Sequence, residues 1–232
     1  MTMIVGMASD AAVILAADSQ DSGKMESLTT GINTARKIIQ LNDSMAVAVA
    51  GSARLNDEVS ITALRWVNCL AFDTDHLQTI FSGLSHASVQ EDITVMRDRL
   101  RPYTDAEHPL QLIIGSGCPS RIFAVRLPEG NVDGIRSRRG YRFTMAGSGA
   151  DLMQQYAPGW VNLLMCGPPE VKGDQGMMEM AVAAISAAIK IEQWEGKTSY
   201  LQGPITALRW NAQGMNWHSF VFSCNMRARK PE

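Results

Sequence analysis

At 232 residues the chain is long enough to bury one sizeable core, and nothing in its composition asks for a second, so residues 1–232 are read as a single domain. Charged residues make up 19% of the chain and the formal net charge is −2, which leaves no electrostatic footprint for nucleic acid or an anionic membrane as a partner. The four cysteines, Cys69, Cys118, Cys166 and Cys224, stand far apart with no CxxC pair and no signal peptide ahead of them, the pattern of reduced thiols in a cytoplasmic protein.

The N-terminal stretch MTMIVGMASDAAVILAAD lacks a basic leader region, and Gly6, Ser9 and Asp10 interrupt its apolar residues. It reads as neither a secretory signal nor a transmembrane span, and folded structure is expected to begin at once. Residues 3–5 and 12–17 are short β-leaning runs split by Ser9 and Asp10, which predicts a hairpin with both strands largely buried. A polar stretch over 19–33 follows, and then ARKIIQLNDSMAVAVAGS supplies two more strands turning at Asn42 and Asp43.

Over residues 55–71 the apolar positions Val59, Ile61, Leu64, Val67 and Leu70 recur at helical spacing. Ser88 and Glu91 form a capping-box pattern ahead of a second helix that carries Ile93, Met96 and Leu100 and stops before Pro102. Strands return as LQLIIGSG, IFAVRLP and YRFTMAGSG, punctuated by Gly and Pro. A short helix is expected over 150–156, and a longer one over 177–193 with a small-residue stripe at Ala184, Ala187 and Ala188. ITALRWN and WHSFVFS close the chain as strands. Strands, two helices, strands, two helices, strands: this order predicts an α+β fold, a four-layer αββα sandwich with helices over two antiparallel sheets.

Several tempting motifs mark neither a nucleotide nor a metal site. The GSG turns at 115–117 and 147–149 are not followed by GK[ST], so no nucleotide site is expected. His76, His86, His108 and His218 have no metal-ligand spacing with each other or with cysteine, so neither metal nor cofactor is expected.

T-M-I-V-G-M, VILAADS, N-T-A-R-K-I and AVAVAGS, in that order and spacing, resemble the opening of proteasome β subunits and of the bacterial protease subunit HslV. AGSG at 146–149 and the helix AVAAISAAIK extend the resemblance more weakly. It implies the N-terminal-nucleophile hydrolase fold and a threonine peptidase that hydrolyses peptide bonds in unfolded proteins or peptides. It also implies a homo-oligomeric ring of six or seven subunits, stacked to enclose the sites, with a possible AAA+ unfoldase feeding it.

By position, the resemblance puts the catalytic threonine on Thr2, the buried aspartate on Asp18 and the lysine on Lys37. A threonine hydroxyl is a poor nucleophile at neutral pH, but a free α-amine with a pKa near ~8 offers a base on the same residue. That amine exists once Met1 is removed, and a small second residue permits the removal. Lys37, protonated beside Asp18, would lower the pKa of the nearby hydroxyl and amine. The N–H of Gly51 would donate to the oxyanion, a contribution of about 3 kcal/mol in the transition state. Ser148 would relay or orient a proton, and Val49 would wall an apolar pocket for the residue before the scissile bond. Ser22 falls in the substrate cleft, on a loop longer than the family's, while Glu192 and Ser199 match a later aspartate and serine. A carboxylate in a run as apolar as VILAAD is rarely buried without a partner, with a turn cap as the lesser reading of Asp18, while Lys37 taken singly reads equally as a solvated strand-edge lysine. A stand-alone amidase acting on small amides and a catalytically silent ring scaffold remain alternatives.

Overall fold

The computed structural model describes residues 3–18, 37–43, 45–51, 109–117, 120–127, 131–133, 136–138, 141–166, 173–195 and 204–220. Strand β1 (Ile4–Ala8) and strand β2 (Val13–Asp18) form the expected hairpin, with Ile4 opposite Ala17. The Ser9 hydroxyl accepts the N–H groups of Ala11 and Ala12, and the Ser9 N–H reaches the carbonyl of Ala12 at 2.8 Å, which closes the turn. Every residue of both strands is buried, because both faces of this hairpin pack on other layers.

The second hairpin pairs β3 (Ile38–Asn42) with β4 (Met45–Gly51), and its register shifts between Gln40 and Asn42. β5 (Leu110–Gly117), β6 (Ser120–Leu127) and β7 (Asn131–Asp133) extend it into a sheet ordered β3-β4-β5-β6-β7. β8 (Arg136–Arg138), β9 (Tyr141–Ala146), β10 (Ile205–Asn211) and β11 (Gly214–Phe220) join the first hairpin in the order β11-β10-β2-β1-β9-β8. All of these pairings are antiparallel.

Three helices follow β9 among the described residues: α1 (Ser148–Tyr156), α2 (Pro158–Cys166) and α3 (Gly173–Trp194). Strand alternation sorts the core into two clusters. Met3, Val5, Met7, Ile14, Ala16 and Phe143 pack with Met153, Met178, Ala181 and Ile185 of the helices. Ile4, Val13 and Leu15 face the second sheet at Ala46, Ala48, Ala50, Ile113 and Ala124. Each large aliphatic side chain buried in this way contributes about 1.5–3 kcal/mol. The small residues bring the sheets close: a Cβ on Gly6 would stand 2.5 Å from Ile113 Cγ2, and one on Gly115 3.1 Å from Val13 Cγ1.

Helix, sheet, sheet is therefore the order of the described layers. The outer face of the second sheet is apolar as well, with Val47, Leu112, Ile114 and Val125 buried outside the inter-sheet cluster. The helices expected over 55–71 and near 91–100 lie outside the described residues, as does the end of the last expected strand.

Other elements differ from expectation. α1 begins at Ser148, not at 150, because the GSG turn itself enters the helix. α3 starts earlier, at Gly173. β7, β8 and α2 were not anticipated: the strands are too short for periodicity to register, and α2 opens on Pro158-Gly159, a pair that reads as a turn although Pro suits a first helical position. No helix among the described residues is long and apolar enough to cross a membrane.

Candidate active site

One end of the two sheets gathers most of the residues singled out above. The antiparallel registers bring the start of β1 beside the ends of β2 and β9, and the start of β3 beside the end of β4. Asp18, the last residue of β2, is buried to 1% exposure, and Lys37, immediately before β3, to 8%. Lys37 Nζ lies 2.7 Å from Asp18 Oδ2, so this ion pair ties the first sheet to the second. The other carboxylate oxygen, Oδ1, accepts the backbone N–H of Met3 at 2.7 Å, and the N–H of Asp18 reaches the Met3 carbonyl at 3.2 Å.

Asp18 is therefore gripped on both oxygens, and neither a turn-capping role nor a solvated lysine describes this pair. Burial is the dominant influence on the carboxyl and holds its pKa above the ordinary 3.8, while the Lys37 charge, its hydrogen bond and the Met3 N–H pull the other way. A buried ion pair gains little stability over well-packed apolar side chains, since desolvating two charges offsets most of their attraction. Removing one partner alone is far more costly.

Lys37 is level with Val49: the Val49 N–H donates to the Lys37 carbonyl at 2.9 Å. Val49 is itself buried, and Gly51 ends β4 two positions further on, opposite Leu110. Across the same end, β9 delivers Ala146 opposite Ile4, followed by Gly147 and then Ser148 at the first turn of α1. Gly147 has φ 91° and ψ 168°, a backbone conformation that a residue with a Cβ rarely adopts. Glu192, fully buried, sits near the C-terminal end of α3.

Thr2, Ser22 and Ser199 lie outside the described residues. The site also contains a residue that pattern reading overlooked. Gln111, the second residue of β5 and opposite Ala50, accepts the Gly147 N–H through Oε1 at 2.5 Å, a second bridge between the sheets at this end. A glutamine among the apolar residues that open the strand LQLIIGSG was the available signal.

No curated protein matches the chain. Residues 2–57, which span β1 to β4 and include Asp18, Lys37, Val49 and Gly51, match the family model for proteasome subunits, and this N-terminal segment is thus similar to those subunits.

Proposed function

We propose that the chain is a proteasome-type threonine peptidase subunit in which Thr2, exposed as the first residue of the mature protein, attacks the peptide carbonyl. Its α-amine accepts the hydroxyl proton and returns it to the leaving amine, and water then releases the acyl ester. Whatever precedes Thr2 has to be removed first. The observation that carries this reading is the buried Asp18–Lys37 pair, whose carboxylate also holds the Met3 N–H. The Met3 nitrogen is bonded to the carbonyl carbon of Thr2, so covalent geometry keeps Thr2 within a residue's reach of the Lys37 charge.

In this reading Ser148, at the first turn of α1 just beyond β9, orients the amine. The Gly51 N–H at the end of β4 serves as the oxyanion donor, and Val49 lines an apolar pocket, with Ser22 on the loop bordering the cleft. The four-layer αββα reading is favoured by the buried outer face of the second sheet, which calls for a further covering layer. One domain, a cytoplasmic homo-oligomeric ring, peptide or unfolded-protein substrates and an AAA+ unfoldase complete the proposal.

N-terminal sequencing and intact mass, read with fluorogenic-peptide turnover, test it. The expected result is active protein that begins at Thr2, and a Thr2→Ala variant that keeps the fold and loses turnover to background. Full activity with a residue still attached ahead of Thr2 would sink the mechanism.

A further inference from the structure

The hydrogen bond between Gln111 and Gly147 spans the two sheets at the end where Asp18 and Lys37 also join them. Gly147 is the link between β9 and α1, and its N–H, at the helix start, has no partner within the helix. Only the carbonyl oxygen of the Gln111 carboxamide can accept an N–H, so the orientation of the amide follows from the contact. The backbone of Gln111 is paired with Ala50, the neighbour of Gly51. One side chain therefore couples the β4 end, where the Gly51 N–H lies, to the turn that sets Ser148.

We propose that Gln111 is a positioning residue for this site: its Oε1 holds the Gly147 turn in register with the Gly51 end of β4. The spacing between Ser148 and the Gly51 N–H is thereby fixed. The inference rests on the reading of Thr2 as nucleophile. Gln111 itself touches no reacting atom and acts through Gly147. A positive φ at Gly147 gives the turn freedom to drift once its N–H is released, because glycine resists few backbone conformations. Small displacements of catalytic groups cost turnover more than they cost substrate binding.

The test compares Gln111→Met, which keeps the length and loses the acceptor, with Gln111→Glu, which keeps an acceptor oxygen at the same reach. Gln111→Asn, too short to span the gap, serves as a second loss variant. Each is assayed on a fluorogenic peptide beside wild type and Thr2→Ala, with thermal melts run in parallel. Gln111→Met and Gln111→Asn are expected to lower kcat by roughly tenfold or more with KM little changed, the pattern of a misplaced group. Gln111→Glu is expected to retain most of the turnover.

Wild-type kcat in Gln111→Met, a loss carried by KM, or an equal loss in Gln111→Glu that tracks its melting temperature would each overturn the proposal. Wild-type protein without Thr2-dependent turnover would instead bring down the nucleophile reading, and the role of Gln111 with it.

Discussion

Asp18 is held by two donors of different kinds, one the side-chain cation just ahead of β3 in the opposite sheet and one the backbone N–H of Met3, just ahead of the neighbouring strand β1. The arrangement sets up opposite outcomes for single and double substitution. Lys37→Met leaves a carboxylate buried without its counter-charge and is expected to destabilise the fold by about 3–5 kcal/mol. The double variant Lys37→Met/Asp18→Asn removes both charges and should recover a large part of that loss. Urea denaturation of the two singles and the double, treated as a cycle, measures the coupling. Additive losses would mean that the pair does not interact as its 2.7 Å separation requires.

The pH dependence at this residue has a definite sign. Burial raises the folded-state pKa of Asp18 above 3.8, so the folded chain retains a proton that the unfolded chain has already released. The stability contributed by that proton is complete below 3.8 and is lost as pH rises through the folded value. Unfolding midpoints followed upward through the acid range should show this decline in wild type and lack it in Asp18→Asn.

At the scale of elements, β1 does two jobs: it is central in its sheet, between β2 and β9, and its inward face meets β5 at close range. Gly6 makes that approach possible. A Cβ there would stand 2.5 Å from Ile113 Cγ2 and 3.3 Å from Thr144 Cγ2, so Gly6→Ala is expected to push the sheets apart at a cost of about 1–3 kcal/mol. Because Asp18 and Lys37 bridge the same two sheets, peptide turnover should fall along with the melting temperature. A variant with unchanged stability would show that the sheets are not held this tightly. α3 is anchored at its other end, where Asp174 in its first turn accepts a hydrogen bond from Asn211 Nδ2 and lies 3.5 Å from Arg209 of β10.

For the whole molecule, the helical layer carries apolar groups that its own core does not cover. Trp194, at the end of α3, is 77% exposed and meets Tyr156 edge-to-face at a centroid distance of 6.5 Å. Leu163 on α2 is more than half exposed. In the proposed ring such groups have neighbouring copies available to them. Size-exclusion chromatography or mass photometry of wild type and Thr2→Ala should report the same multi-subunit particle, since assembly does not draw on the nucleophile. A single-subunit mass would refute the ring.

Much of the fold was legible before the tertiary structure, and the legible parts share a cause. VILAAD, AVAVAG and LQLIIGSG are long enough for pattern and turn residues to mark β2, β4 and β5 unaided. α3 is long enough for its helical period to identify it, although not its first turn. Asp18 stood out as a carboxylate in an apolar run, whereas Lys37 was singled out, and the two were paired, by the resemblance to proteasome β subunits.

Tertiary structure supplied the distance of the Asp18–Lys37 contact that the resemblance anticipated, and it alone showed that Gln111 meets Gly147. The Asp18–Lys37 contact joins two sheets across 19 positions of sequence, and Gln111 reaches Gly147 across 36. No local period encodes such contacts: they arise when two sheets stack, and the stacking distance is set by small residues such as Gly6 and Gly115 at their interface. Sequence by itself determined the chemical types available to the site. Packing determined their distances, because a side-chain bond between sheets exists only once both sheets are built.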